Sequence, residues 1–442
     1  LKYQVPLFSI IIPLYNCEKF IKVCLLSVLN QNFSDYEIII VNDHSRDRSL
    51  KICKKYEKKY PKIKIINQKT NKGVSSSRNL GIKSSIGEYI IFLDSDDYLE
   101  KFSLYKLSKF IENNKNADTI IAPHNANSDG KIANKKIKKI NNNNAKIKLI
   151  NEIPYFIGYC WRFVTKRRFL ETNKIFFIDD ARQFEDEEFT CKLLFFSKSI
   201  TFFNKKYYCK ELRNHSSLAS TTNFNSVKSC IIVLKGLLKL SSLKKISVQK
   251  KNYCKQRIEK LLTDLYPLLF LTSTKNLIIL SKYININLNL FLMLKKYKHK
   301  SGLGALVNKN NRKCLLDCRN IIEKNTLIQL NNLKSKNFYF FCMDKNSFAL
   351  AKILEKHRYK IKGFLDNKSS LKNSKKFKFK FIPVKRGIKN IKENIQNYIV
   401  ICNQRNENIF EILKQLVNAG VPKKRIFIKT YTLNLKEKIK QP

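Results

Sequence analysis

The first hundred residues alternate short, wholly apolar runs with segments of helical periodicity, and few folds can satisfy that pattern. Residues 8–14 form a continuous apolar run suited to a strand buried on both faces. Residues 17–29 carry apolar side chains at helical spacing behind Asn16, a candidate cap. A second buried strand is expected at 36–41, ending at Asn42-Asp43-His44-Ser45. A helix at 49–60 and a strand at 63–67 follow, then a helix entered through Asn71-Lys72-Gly73-Val74 and running to Ser85, and a fourth strand at 88–93. This alternation predicts a doubly wound, mostly parallel α/β sheet that takes its ligands at the carboxyl ends of the strands.

Two acidic segments sit within this pattern. Ile90-Ile91-Phe92-Leu93-Asp94-Ser95-Asp96-Asp97 is an apolar strand that ends in clustered carboxylates, the hard-oxygen chemistry required by a divalent cation bridging phosphates. Carboxylates crowded at the end of a buried strand repel one another without a cation; a solvated turn is the competing account. Phe184-Glu185-Asp186-Glu187-Glu188-Phe189 is a candidate source of a general base, or an acidic helix N-terminus stabilised by the helix dipole, and both can hold together.

At 442 residues the chain is long enough for two or three domains. Beyond the first sheet a helix is expected at 103–113 and a Lys- and Asn-rich loop at 127–144. Residues 147–217 carry Trp161, the Glu185 cluster and Arg213-Asn214-His215. Residues 226–330 read as helical, with Ile231, Leu234, Leu237 and Leu238, then Ile258, Leu261, Leu262 and Leu265, on recurring faces. An α/β pattern returns with strands at 338–343, 361–365, 398–402 and 425–428 and helices at 347–357 and 409–419. The expected domains are 1–225, 226–334 and 335–442.

Lys and Arg number 87 against 34 Asp and Glu, a formal net charge of +53. An anionic membrane surface, a nucleotide-phosphate substrate or nucleic acid would each suit that charge, and so would the coding bias of an AT-rich genome, because Lys, Asn and Ile are abundant while Gly is scarce. Without an aromatic-interleaved RNA-binding signature or a compact basic recognition helix, nucleic acid ranks last. The 12 Cys, among them Cys17, Cys24, Cys53, Cys160, Cys314 and Cys318, show no C-x-x-C pair or zinc-ligand spacing and read as free cytosolic thiols. Residues 1–15 lack the features of a signal peptide, and the apolar stretch 261–280 is broken by Pro267, Thr272, Ser273, Thr274, Lys275 and Asn276. The expected location is therefore cytoplasmic, with any membrane association peripheral. The chain does not begin with Met, which suggests a processed, trimmed or partial sequence.

From Phe8 to Leu99 the chain resembles the nucleotide-binding half of the family-2 glycosyltransferases with the GT-A fold. The residues that carry the resemblance are Ser9-Ile10-Ile11-Ile12-Pro13-Leu14-Tyr15-Asn16, Ser27-Val28-Leu29-Asn30-Gln31, Val41-Asn42-Asp43-His44-Ser45, Asn71-Lys72-Gly73-Val74-Ser75 with Ser77-Arg78-Asn79, Gly87-Glu88-Tyr89-Ile90 and Phe92-Leu93-Asp94-Ser95-Asp96-Asp97. Phe184-Glu185-Asp186-Glu187 and His215-Ser216-Ser217-Leu218 extend it over half of the chain. The resemblance implies that Pro13 and Tyr15 line the base pocket, Asp43 hydrogen-bonds the base, Arg78 approaches the nucleotide, Asp94 holds the ribose, Asp96 binds Mn²⁺ or Mg²⁺ on the diphosphate, and Asp186 is the catalytic base. His215 is either a third metal ligand or a loop hydrogen-bonding residue. His44 stands where the family commonly has Gly, and Asn42 where Asp is frequent; neither removes a group that the chemistry needs.

These roles agree with elementary chemistry. A sugar nucleotide leaves as a diphosphate, whose growing charge a cation at Asp96 can neutralise. Asp186, ionised at pH 7 if its pKa lies near the ordinary value of about 3.9, can deprotonate an acceptor hydroxyl attacking the opposite face of the sugar, which implies inversion. The implied partners are a nucleotide-sugar donor, a UDP-sugar first, and a bacterial surface glycan or its lipid-linked precursor. Trp161 is either an acceptor-stacking ring or core. The C-terminal stretch resembles Rossmann-like domains appended to some sugar-modifying enzymes, but Asp344-Lys345-Asn346-Ser347 lacks the glycines of a pyrophosphate turn, which favours a docking or structural role. The rival readings are a nucleotidyltransferase, which would need a Gly-rich triphosphate loop after the first strand, and a non-catalytic basic scaffold at a membrane surface.

Overall fold

The computed structural model describes residues 5–122, 159–210, 224–243, 246–273, 275–276, 323, 337–341, 345–365, 381–382, 384–394, 397–401, 412, 415–422 and 426–428. The chain divides into two compact units, Leu1–Arg213 with Ser229–Ile258, and Asn214–Lys228 with Glu259–Pro442.

The strands of the first unit are β1 (Phe8–Leu14), β2 (Tyr36–Asn42), β3 (Ile63–Asn67), β4 (Tyr89–Phe92), β5 (Tyr98–Leu99), β6 (Thr119–Ile121), β7 (Phe163–Lys166), β8 (Ile200–Phe202) and β9 (Tyr208–Cys209). Seven of them form one sheet in the order β3-β2-β1-β4-β7-β6-β8. β1 runs parallel to both β2 and β4, with Phe8 opposite Tyr36 on one side and Tyr89 on the other, and β7 enters antiparallel to β4. The order reverses between β1 and β4, so the crevice at this switch point lies beyond Leu14 and Phe92. The aspartate-bearing segment therefore follows the strand that flanks the crevice. β5 and β9 pair separately as a short antiparallel ladder.

The runs of Ile and Val are buried on both faces: Ile10, Ile11, Ile12, Ile38, Ile39, Ile40, Ile90 and Ile91 are all fully enclosed. The helices that cover them are α1 (Ile21–Leu29), α2 (Ser49–Lys59), α3 (Val74–Ser84) and α4 (Ser103–Glu112). α3 lies tightly on β1 because position 81 is Gly; a Cβ there would stand 2.3 Å from the Ile11 Cγ2. Asn16 does not cap α1, which starts at Ile21 without a side-chain cap. It adopts a left-handed φ of 48°, and its Oδ1 accepts the Arg46 N–H at 2.8 Å while its own N–H reaches the Ser45 Oγ at 3.2 Å. The expected cap thus ties the loop after β1 to the loop after β2.

The first unit is completed by α5 (Arg167–Thr172), α6 (Glu185–Phe196) and the parts of α7 (Phe224–Ser241) and α8 (Val248–Leu271) that fall within 229–258. The second unit holds a five-stranded sheet of β10 (Asn337–Phe341), β11 (Lys360–Leu365), β12 (Phe381–Ile382), β13 (Asn397–Ile401) and β14 (Ile426–Ile428), with α9 (Lys345–Lys356) and α10 (Val384–Glu393). Its order is β12-β11-β10-β13-β14 and every pair is parallel. Tyr339, Phe341, Leu365, Ile391, Ile399, Ile401 and Leu416 form its core. Asp344 and the turn after β10 lie outside the described residues, as do Cys314 and Cys318. No helix among the described residues is long and apolar enough to cross a membrane.

Gly87 tests how closely the chain crosses itself below β4. Its N–H donates to the Ser9 Oγ at 2.8 Å, and a Cβ at this position would stand 2.6 Å from the Ser9 backbone nitrogen. Because the obstacle is backbone, Gly87→Ala is expected to cost about 1–3 kcal/mol, read as a lower midpoint in urea unfolding with an unchanged slope.

Candidate active site

The loops at the carboxyl edge are held by side chains acting on backbone. Glu18 N–H donates to the Asp47 Oδ2 at 3.0 Å, Arg48 N–H returns a bond to the Glu18 Oε2 at 2.9 Å, and Cys17 N–H reaches the Ser49 Oγ at 2.7 Å. Within this frame Pro13 is half-buried at the end of β1 and Tyr15 is exposed. Both stand beside the switch point.

Asp43 is 4% exposed and faces inward. Its Oδ1 accepts the Lys72 N–H at 2.7 Å and the Gln68 amide at 3.1 Å, and its Oδ2 accepts the Gly73 N–H at 2.8 Å. Gly73, with φ of 93°, occupies a backbone conformation that Gly adopts without strain, and its peptide is thereby presented to the carboxylate at the start of α3. The loop 68–73 is therefore built around Asp43. His44 takes a φ of 60°, which explains why Gly is usual there and why His, tolerant of the left-handed region, can replace it. Asn42, buried, donates to the Asn67 Oδ1 at 2.5 Å and so joins the ends of β2 and β3.

At the centre is Arg78, on the inner face of α3 and 3% exposed. Its Nη2 donates to the Asp94 Oδ1 at 2.8 Å, and its Nη1 to the Glu185 Oε1 at 2.8 Å and the Asp186 Oδ1 at 3.4 Å. Its guanidinium also stands over the Phe177 ring. One guanidinium thus joins the end of β4 to the first turn of α6. The four acidic residues of that turn make it an acidic helix N-terminus as well, preceded by Phe184 with a left-handed φ of 63°. A bulky residue in that region stores strain, here immediately before the acidic pair.

Burial pushes the Asp186 carboxyl up to about 7; Arg78 pulls it down, Glu185 and Asp94 push it further up, and a hydrogen bond with the Cys160 thiol lowers it. The expectation of an ordinary carboxylate near 3.9 is thereby corrected: neighbouring anions and lost solvent displace it. Burial also raises Cys160, which is fully enclosed, so that its thiol stays protonated as a donor. Around Arg78, burial opposes the charge and the surrounding groups Cys160, Asp94, Asp186 and Glu185 more than restore it.

The three aspartates after β4 have separate surroundings. Asp94 is paired with Arg78, and its side chain is 29% exposed. Asp97 is buried, and its Oδ2 accepts the Tyr208 hydroxyl at 2.7 Å. Asp96 is half-buried. Burial raises the Cys24 thiol, and the charges of Asp97, Asp96 and Asp94 push it the same way. No group of three His, Cys, Asp or Glu side chains among the described residues is arranged to hold a metal by itself. Mg²⁺ is commonly held by one or two carboxylates together with substrate phosphates, and the hard oxygens at the end of β4 fit a cation completed in that way.

Trp161 belongs to the core: it is 2% exposed and stacked between Tyr159, at 5.0 Å, and Tyr208, at 4.2 Å. Through Tyr208 this stack supports Asp97. His215 lies outside the described residues. The structure brings Arg78, Asp94 and Asp186 together, sets Asp96 beside them in sequence, and places Asp43 under the neighbouring loop. Sequence reading missed Glu185 as an Arg78 partner, Cys160, Gln68 and Tyr208; no short motif marks contacts between residues so far apart in the chain.

The glycosyl transferase family 2 profile matches residues 9–180. The chain is 36% identical over 191 residues to the uncharacterized glycosyltransferase EpsJ of Bacillus subtilis, 42% of this chain and 55% of that protein. It is 31% identical over 205 residues to the poly(ribitol-phosphate) beta-N-acetylglucosaminyltransferase TarS of Staphylococcus aureus, 46% of this chain and 35% of that protein. In both cases the match spans less than two thirds of the relative's own length. A crystal structure of S. aureus TarS 1-349 in complex with UDP superposes with a TM-score of 0.50 at 21% identity, covering 73% of this chain and 92% of that one. The reversed strand order and this superposition give the first unit the GT-A fold, and residues 9–180 match glycosyltransferase family 2.

Proposed function

We propose that the chain moves a sugar from a nucleotide diphosphate, a UDP-sugar, onto a hydroxyl group of a bacterial surface polymer or its lipid-linked precursor, with inversion at the anomeric carbon. The observation that carries this reading is the convergence of Asp94, Glu185 and Asp186 on buried Arg78, which sets a carboxylate with a raised pKa beside the acidic end of β4. The UDP in the TarS crystal supports the choice of nucleotide, and the name of TarS supports an acceptor among phosphate-containing surface polymers.

Pro13 and Tyr15 flank the base, and Asp43 accepts from it while it holds the 68–73 loop in place. Asp94, oriented by Arg78, holds the ribose; Arg78 approaches the nucleotide only through the groups it positions. Asp96 holds Mn²⁺ or Mg²⁺ against the diphosphate, with His215 as a further candidate ligand. When bound, the cation supplies a Lewis acid that offsets charge on the departing diphosphate. Asp186 takes the proton from the acceptor hydroxyl, and a pKa close to the working pH suits a group that must be ionised yet basic. We also propose that the C-terminal domain, 335–442, serves docking or support, and that the net charge of +53 favours an anionic surface, lipid or polymer.

The direct test is release of nucleotide from a panel of UDP-, GDP- and CMP-sugars with Mn²⁺ or Mg²⁺, with and without chelator. Metal-dependent UDP release is expected from one donor, and its loss in Asp96→Ala and Asp186→Asn; near-normal turnover in either variant removes that residue's role. The transfer rate is expected to rise with pH as Asp186 ionises near 7.

Stability should run the opposite way. A carboxyl whose folded pKa lies above its unfolded value binds more protons when folded, so stability falls as pH rises from about 4 towards 7. Asp186→Asn is therefore expected to raise the Tm at pH 8 and to change it little at pH 4, with about 2–4 °C for each kcal/mol recovered. Binding to vesicles containing anionic lipid is expected to weaken as salt rises; equal binding to neutral vesicles at every salt concentration refutes the surface proposal.

A further inference from the structure

His44 holds an unfavourable backbone conformation without a contact that offsets it. Its φ of 60° lies in the left-handed region, which strains any side chain other than Gly. The residue is exposed, and among the described residues its ring meets no hydrogen-bonding, ionic or stacking partner. Asn16 gives the contrast. It is also left-handed, with φ of 48°, but its side chain accepts the Arg46 N–H and so ties two loops together. Strain at Asn16 is offset within the protein; at His44 the offset is to be sought in a ligand.

The surroundings of His44 suit one. β1 and β2 run in register as far as Leu14 and Asn42, and the next residue, Asp43, donates its N–H to the Leu14 carbonyl at 2.9 Å. Asp43 is thus flanked by two exposed rings: Tyr15, which follows Leu14 and is 45% exposed, and His44, the next residue in the chain. Paired strands lie about 4.8 Å apart, so both rings rise from backbone within reach of one planar group. Asp43 itself is nearly saturated. A carboxylate accepts about four hydrogen bonds; Oδ1 has taken the Lys72 N–H and the Gln68 amide, and Oδ2 the Gly73 N–H. One place is left, on Oδ2. Uracil offers a single ring N–H between two carbonyls and fits a single place. Guanine offers two adjacent N–H groups on the edge that meets a carboxylate, and one of them would face the filled Oδ1.

We propose that His44 is a specificity-determining residue: its ring closes the nucleobase pocket, stacks on a pyrimidine bound at Asp43 and obstructs the second ring of a purine. The proposal rests on the reading of Asp43 as the acceptor for the base. Stacking on an aromatic side chain is open to any base. His44 is selective because of where it stands, one residue from the open acceptor place of the carboxylate. The strain carried without nucleotide is then offset when nucleotide binds.

The test is calorimetric binding of UDP and GDP, with Mn²⁺, to the full chain and to its His44→Gly, His44→Asn and His44→Phe variants. All three replacements suit the backbone: Gly and Asn take the left-handed region readily, and this chain already holds Phe102 and Phe184 there. His44→Gly and His44→Asn are expected to bind UDP about tenfold more weakly, a common worth for base stacking, and to lose at least as much of the preference for UDP over GDP. His44→Phe restores a ring and is expected to stay within about threefold of wild type for UDP. A Tm at or above wild type in His44→Gly shows that lost affinity is not lost folding; should one of the two ring-less variants fail to fold, the other decides. UDP affinity within about twofold of wild type in the ring-less variants overturns the proposal, as does a His44→Phe variant as weak as His44→Gly. A wild-type chain that binds GDP as tightly as UDP overturns the reading of a UDP-sugar donor, and this proposal falls with it. A preference for UDP that survives in the ring-less variants overturns this proposal alone.

Discussion

The site depends on one cation withdrawn from water. Arg78 is enclosed on α3, and a guanidinium in that position is tolerated only because carboxylates surround it. Yet three carboxylates against one guanidinium leave an excess of negative charge in a poorly solvated space, and that excess must be relieved. One route is a proton: Asp186, the most weakly held of the three at 3.4 Å, takes on a pKa near neutrality. The other is a cation, which the oxygens after β4 can help to hold. On the proposed reading, the proton handled by the base and the cation on the diphosphate both answer the same imbalance.

The imbalance also explains why so much of the first unit is devoted to α6. Four acidic side chains in a single turn repel one another more than the helix dipole offsets. Arg78 takes two of them, Lys192 and Arg257 one each, and the turn is held between charges on opposite sides. A chain with a net charge of +53 nonetheless concentrates its acids here. On the proposed reading, long-range attraction for an anionic partner and local capacity for a cation are separate properties of separate places.

The sheet was legible because its signal is local. Apolar runs of strand length with β-branched residues on both faces define β1, β2 and β4, and their alternation with helices implies the parallel order. Asp94 and Asp96 were legible for the same reason, as carboxylates at the end of such a run. What could not be read is whatever depends on pairs distant in sequence. Arg78 and Glu185 are 107 residues apart, and nothing in either segment names the other. Asn16 satisfied the rule for a helix cap, but the next loop offered its side chain a better partner in the Arg46 N–H. The ordinary pKa assigned to Asp186 failed because titration reflects surroundings that composition does not reveal. His44, in contrast, was correctly marked as unusual, and its positive φ supplies the reason.

The family match ends at residue 180, five residues before α6 begins. On the proposed reading, the matched stretch is the donor side: the switch-point crevice, the Asp43 loop, Arg78 and the aspartates after β4. The proposed base and residues 229–258 lie beyond it. That division has a physical logic. A nucleotide diphosphate is the same chemical object in many enzymes and constrains the residues around it tightly, whereas acceptors differ in shape and charge. A base carried on a separate helix, joined to the donor side through one guanidinium, can be re-aimed by changing what packs behind the helix, without disturbing the crevice that holds the nucleotide. Acceptor choice in this chain is then to be sought less in the Asp-rich loop than in the helices that decide where Asp186 points.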